Sequence, residues 1–345
     1  MLSIHRTQFT PSTWAQLKTF SDRLVYQTPE WISFVAETQE ATPVLGEIRD
    51  GTSVLGYLTG LTFRRLGVPL FGSPFTGWTT MFMAFNLQPD VPRWLALQVV
   101  PRFVYSELGC VYFELVDRHL TDEDVRRAGC QFRWLRSQET DLSVSEQELF
   151  QAMDSPCRRC IRKAQKSGVR VVEASPTDSA FASEYYVQLR EVFGKQGLAP
   201  TYNQQRVESL IQHLGPTGNL LLLRALNPEG HCIATGIYPG MNSLAQFWGN
   251  ASHRAWLQLR PNEALHWYAL RWWKARGAKV FDWGGWAAYK DKYGCRTVQY
   301  PRVFGARFPG LILLRDLAER TFWRIKAIQG RLRSPATAGD DLPTA

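Results

Sequence analysis

The sequence predicts a mixed α/β chain built from two repeated units. Two observations carry this. The 345 residues are 45% hydrophobic and 21% charged, a globular composition with material for two cores. One order of patterns, hairpin then helix then strand, also occurs twice, about half a chain apart.

In the first unit, residues 44–51 and 53–60 are β-rich apolar runs around an Asp50-Gly51 turn. Residues 94–108 form a helix stopped by Gly109, since glycine enters the left-handed C-cap conformation without a Cβ clash. Strand 111–115 follows. Residues 129–135 and 139–143 read as a strand pair closing this unit. Residues 144–153 are helical, and a further helix starts at Ser155-Pro156, with Ser155 as N-cap and Pro156 in the first turn. It ends at Gly168. Cys157, Cys160, Ile161 and Ala164 share one face of it; Arg158, Arg159, Arg162, Lys163 and Lys166 share the other. The second hairpin pairs 220–226 with 231–238 across Asn227-Pro-Glu-Gly230. Strand 244–248, helix 262–276, its stop at Gly277 and strand 279–283 complete the repeat. The units are therefore 1–143 and 144–330. The tail, 331–345, is rich in Ser, Pro, Gly, Asp and Thr and is expected to be disordered.

Composition also excludes. No run of about 18 apolar residues occurs, so no transmembrane helix is expected. The start, MLSIHRTQFTPSTW, lacks the apolar core of a signal peptide, and a cytoplasmic location is expected. Six cysteines are too few for a disulfide scaffold. The lone Cys157-Arg-Arg-Cys160 lacks a second half, so no metal site is expected. There is no P-loop, nucleophile elbow or HExxH. A net charge of +9 favours an anionic partner.

Several segments resemble one family. Asp141-Leu-Ser and the stretch from Ser155-Pro-Cys to Gly168-Val are similar to the entry into the second domain of Fem-type (FemAB-like) proteins. The block Gly277-Ala-Lys-Val-Phe-Asp-Trp-Gly-Gly285, followed by Tyr289-Lys-Asp-Lys-Tyr-Gly294, resembles that family's strand, glycine pair and aromatic-Lys-x-Lys-aromatic-Gly stretch. Thr28-Pro-Glu-Trp31 matches an opening pattern. The resemblance covers roughly residues 20 to 310. It implies two tandem GCN5-related N-acetyltransferase (GNAT) folds meeting at a cleft, as in Fem-type and BioF2-like acyltransferases. It further implies transfer of an activated acyl or aminoacyl group to an amine of a peptidoglycan- or exopolysaccharide-related precursor, with no covalent enzyme intermediate. No tightly bound cofactor is implied; acyl-CoA or aminoacyl-tRNA would be co-substrate. The acceptor would be an anionic nucleotide- or lipid-linked sugar precursor, with tRNA and a peripheral membrane surface as further partners. One departure bears on the donor. Where acetyl-CoA enzymes carry a small-residue loop that cradles pyrophosphate, this chain reads Gln258-Leu-Arg-Pro261-Asn-Glu263-Ala-Leu265. Proline donates no amide hydrogen, and glutamate repels a phosphate, so weak or absent CoA binding is expected there.

Asp282 ends an apolar strand before two glycines, where a carboxylate would orient or deprotonate an amine. Lys290 and Lys292 are placed to stabilise an oxyanion or neutralise phosphate, with Tyr289 and Tyr293 beside them. Asp282, Lys290 and Tyr293 are the catalytic candidates. Lys292, Tyr289, Trp248, Asn250, Arg162 and Lys163 are candidates for substrate binding. Arg64 and Arg65 join them because the first domain of Fem-type enzymes contributes to the acceptor site. Two other classes compete: a non-catalytic GNAT-derived module binding a polysaccharide, nucleotide or protein, and RNA binding alone, which a pI near 9.3 permits without an RNA motif to support it.

Overall fold

The computed structural model of the chain describes residues 2–194, 198–313, 315, 317 and 321. The first half contains β1 (Leu2–Thr7), α1 (Pro11–Leu17), α2 (Pro29–Gln39), β2 (Thr42–Asp50), β3 (Ser53–Arg65), β4 (Val68–Ser73), β5 (Ala84–Leu87), α3 (Arg93–Arg102), β6 (Tyr112–Val116), α4 (Asp122–Ala128) and β7 (Gln131–Asp141). The second contains α5 (Glu146–Ala152), α6 (Ser155–Lys166), β8 (Arg170–Glu173), α7 (Ala180–Gly194), α8 (Gln204–Leu214), β9 (Leu220–Leu226), β10 (Cys232–Met241), β11 (Leu244–Gln246), β12 (Gly249–Ser252), α9 (Pro261–Ala275), β13 (Val280–Asp282) and β14 (Arg296–Ala306).

The repeat is visible strand by strand. β3 pairs β2, then shares its other edge between β4 and β5. β10 pairs β9, then shares its other edge between β11 and β12. β6 runs parallel to β4, as β13 does to β11. Each half then gives its last strand away. β7 leaves the first half to pair β13, and β14 leaves the second half to pair β6. The two exchanged strands pair each other from Arg296↔Glu139 to Phe304↔Gln131. The central order β4-β6-β14-β7-β13-β11 is thus symmetric about the β14/β7 ladder, and one sheet runs through both halves. The cleft expected between two separate sheets is bridged by backbone hydrogen bonds.

Local chemistry fits these elements. Thr28 accepts the Trp31 N–H at 3.3 Å and caps α2, with Pro29 in its first turn, so the Thr-Pro-Glu-Trp pattern is a helix start. Three readings need correction. The strand pair at 129–135 and 139–143 is the single strand β7: Ser137 and Gln138, which fall between the two, are buried and bonded to a loop of the other half. Asp154, not Ser155, caps α6, its carboxylate accepting the Cys157 N–H at 2.6 Å. Strand 244–248 stops at Gln246, because the chain there swings from β13 towards β10. The tail 331–345 lies outside the described residues.

Two cores flank the second half of the sheet. On one face Tyr26, Trp31 and Phe34 of the first half pack with Tyr185, Val207, Leu210 and Leu214, so α2 lies against α8. On the other, Phe247, Trp283 and Tyr293 pack with Leu265 and Trp273 of α9 and Cys157 and Ile161 of α6.

Candidate active site between the two halves

β13 ends at Asp282, and the chain turns through two glycines with positive φ. A Cβ on Gly284 would lie 2.7 Å from the Phe247 carbonyl oxygen, so this close approach requires glycine. Asp282 is fully buried. It accepts the Gly284 N–H at 2.6 Å and the Ser137 hydroxyl at 3.2 and 3.3 Å. The nearby Arg118 guanidinium is committed to Glu139 and Tyr300. Burial, reinforced by the Glu139 charge, pushes the Asp282 carboxyl up to about 7.

Lys290 is 5% exposed. Its ammonium donates to the Trp283 carbonyl at 2.6 Å and the Gly285 carbonyl at 3.0 Å, above the Phe247 ring at 5.5 Å. Burial lowers it to about 8, against the opposing pull of Asp282. Tyr293 lies in the aromatic core, stacked on Trp283 at 4.5 Å. Lys292 reaches the start of α9 and pairs with Glu263 at 2.7 Å. The glutamate expected to repel phosphate is therefore neutralised from within the chain. His266, one turn on, is buried and pushed down to about 3 by burial and by Lys292 and Lys290.

A line of unpartnered polar atoms runs along the opposite sheet face. Leu244 and Trp248 pack in the core shared with the first half, while Ala245 and Phe247 pack in the other, so alternation puts Gln246 on the Trp248 face. Gln246 lies level with Asp282 on the neighbouring strand. The buried Gln246 Oε1, Trp248 Nε1 and Tyr26 Oη have no hydrogen-bond partner among the described residues. Tyr202 packs on Trp248 with ring centroids 5.1 Å apart. Beyond Tyr202 lies a cavity of about 630 Å³ between α2 of the first half and α8 of the second, lined by Glu37, Glu40, Tyr186, Tyr202, Asn203 and Arg206 among others. Arg206 is 9% exposed, and its Nε and Nη2 are likewise unpartnered. Burial without an acidic partner lowers its pKa. Buried donors and acceptors without partners are uncommon and ask for an explanation, and a ligand supplies one here.

The structure gathers Asp282, Lys290, Lys292, Tyr293 and Trp248 around the end of β11 and β13. Tyr289 is next to them but 54% exposed. Asn250 donates to Asn262 at 3.0 Å and ties β12 to the start of α9. Arg64 and Arg65 are elsewhere: they tip the β3/β4 hairpin, beyond Leu70↔Tyr112. Ten residues of β14 separate Ala306, level with Tyr112, from Arg296, level with Asp282 through Glu139, which is roughly 30 Å at strand rise. Arg162 and Lys163 are exposed on α6. Arg162 stacks on Phe150 beside a separate groove with Trp267. Sequence reasoning missed Arg206, Tyr202, Gln246, Ser137 and Gln138. None stands in a motif; the fold alone brings them together. Among the described residues no cluster of His, Cys, Asp or Glu is arranged to hold a metal, and no helix is long and apolar enough to cross a membrane.

Comparison with known proteins fits this architecture. Residues 154–293 match the model of the acetyltransferase (GNAT) domain. No curated protein matches the sequence. Among solved structures, FemX is 11% identical and superposes with a TM-score of 0.68 over 87% of this chain and 97% of its own. L-PGS from Bacillus licheniformis is 12% identical, with a TM-score of 0.52 over 91% and 97% of the two chains. The C-terminal domain of a putative lysylphosphatidylglycerol synthetase from Agrobacterium fabrum is 9% identical, with a TM-score of 0.52 over 86% and 93%. Residues 154–293 thus match a GNAT-type acetyltransferase domain, and the chain as a whole has the fold of FemX.

Proposed function

We propose that this protein transfers an activated acyl or aminoacyl group to the amine of an anionic acceptor bound between its halves. One observation carries the reading: the buried Arg206, whose Nε and Nη2 have no partner among the described residues, lines the inter-half cavity, and Gln246, level with Asp282, likewise has a buried side-chain oxygen without one. Arg206 would hold the acceptor's anionic group, as guanidinium does with phosphate or carboxylate. The amine would lie near Tyr26, Gln246 and Asp282. A carboxyl near 7 is matched to taking a proton from an ammonium at neutral pH. The amine nitrogen bonds to the acyl carbon, the C–O or C–S bond of the donor breaks, and the donor's alcohol or thiol leaves with the proton the amine gives up, so no enzyme nucleophile takes part. Lys290 would stabilise the tetrahedral oxyanion, with proximity supplying much of the rate.

The Lys292–Glu263 pair at the start of α9 favours aminoacyl-tRNA over CoA as donor, because a carboxylate already occupies the anion's place. The aminoacyl reading and a cell-envelope acceptor are also in keeping with the likeness to FemX and L-PGS. The test is direct. Purified protein is incubated with acyl-CoA or charged tRNA and a panel of nucleotide-linked sugar precursors bearing a free amine, and products are read by mass spectrometry. An amide product that disappears in Arg206→Met supports the proposal. Acceptor binding without product from either donor would make the protein a binding module.

A further inference from the structure

We infer that Ser137 and Gln138, on the strand the first half lends to the second, are positioning residues that set Lys290 through the loop from Trp283 to Asp291. This rests on the proposed role of Lys290. Among the described residues the Lys290 ammonium donates to carbonyls of its own loop, those of Trp283 and Gly285. Its geometry is therefore as good as the loop's. The loop in turn is pinned to β7. The Gln138 carbonyl accepts the Trp283 N–H at 2.9 Å. Ser137 Oγ accepts the Gly285 N–H at 3.0 Å while its hydroxyl donates to Asp282. Gln138 Oε1 accepts the Ala287 N–H at 2.9 Å, and its Nε2 donates to Asp291. Four successive points of the loop thus take their register from a strand contributed by the other half. Both side chains are fully buried. A glutamine that uses both ends of its amide on one loop fixes that loop's direction as well as its distance.

The other half shows the reciprocal arrangement. Arg302, on the lent strand β14, donates to Thr76 at 2.9 Å and to Glu114 at 3.1 Å, holding the loop after β4. The strand exchange therefore places one half's side chains under the other half's loop, on both sides of the symmetric ladder.

The test needs no substrate. Trace labelling with acetic anhydride across a pH series, read by mass spectrometry, reports the titration and reactivity of each lysine. The groups facing Lys290 are Asp282 on β13, Cys295 and Tyr289 from its own loop, His266 on α9 and the Phe247 ring. In the wild type Lys290 should titrate near 8. In Ser137→Ala and Gln138→Leu the loop loosens, water reaches the ammonium, and the titration should move up by about one unit or more towards the ordinary lysine value. Ser137→Thr keeps the hydroxyl and should stay near the wild type. Melting temperatures identify any variant that has unfolded; Ser137→Thr and Gln138→Leu remain informative if Ser137→Ala fails. Unchanged Lys290 titration in folded Ser137→Ala and Gln138→Leu would overturn the inference. Lys290→Ala, assayed separately for transfer, tests the underlying reading: wild-type turnover there sinks the role of Lys290 without touching the labelling result.

Discussion

Glu114 on β6 and Asp282 on β13 occupy corresponding strands of the two halves, and their surroundings differ sharply. Glu114 is surrounded by partners: Arg302 at 3.1 Å, Arg315 at 3.0 Å, the Thr76 hydroxyl at 2.7 Å and the Tyr112 hydroxyl at 3.0 Å. Burial alone would raise its pKa, but the two arginines and the hydroxyls outweigh it and hold the carboxyl below its usual value. Asp282 is equally buried and has a hydroxyl and one amide, with no cation in contact. It rises to about 7. The same contrast holds on the neighbouring strands. Ser73, last residue of β4, is bonded to Thr59 and Ala84, whereas Gln246, last of β11, has a side-chain oxygen with no partner among the described residues. A duplicated fold can therefore use one copy of a position for cohesion and leave the other poised for chemistry, simply by how many donors surround it.

Substitutions at these positions should separate the two uses. Glu114→Gln should cost about 3–5 kcal/mol at pH 7, because it removes the buried charge with which Arg302 and Arg315 pair. Glu114 is depressed in the folded state, so its contribution is present at neutral pH and lost as pH falls through the acid range; denaturant unfolding at pH 7 and pH 3.5 should show the penalty shrinking. Lys290→Ala should lower turnover by roughly 10- to 1000-fold with the acceptor still bound, and wild-type turnover would remove it from the site.

Asp282→Asn should behave oppositely to Glu114→Gln. The Asp282 pKa is raised on folding, so its stability contribution is present below the unfolded value and lost as pH rises to about 7. The asparagine variant should therefore gain stability over the wild type, by about 1–2 kcal/mol, at pH 8 and not at pH 4. A smaller effect is expected at Arg206. Replacing it with Met should leave stability within about 1 kcal/mol, since it removes a buried unpaired charge, while affinity for the anionic acceptor falls in equilibrium binding. The smallest signal is expected from CoA, which calorimetry should show binding weakly or not at all; micromolar binding lost in Arg260→Ala would contradict the role given to the Lys292–Glu263 pair.

The repeat was legible in the sequence because hairpins, helix stops and apolar strands are local signals. Gly109 and Gly277 mark helix ends in both copies. The exchange of β7 and β14 was not legible, since strand partners lie more than a hundred residues away and neither composition nor period names them. The continuity of β7 through Ser137 and Gln138 is likewise not local: these buried polar residues are accounted for only by the loop they support. The site was legible where it is local. Asp282, Lys290 and Lys292 stand beside a glycine pair on one stretch of chain. Arg206 was hidden because a helix arginine beside an apolar stripe normally reaches water. The distance of Arg64 and Arg65 from Asp282 was not legible either: charge after a strand says nothing about which end of the sheet it occupies.

The measurement that reaches the central claim most directly is the titration of the two carboxyls themselves. Carbon-detected NMR on protein labelled at Asp and Glu side chains, assigned with Asp282→Asn and Glu114→Gln, reads both in one experiment. The account predicts Asp282 titrating near 7 and Glu114 below the usual glutamate range. Asp282 titrating with the ordinary aspartates, near about 4, would contradict it.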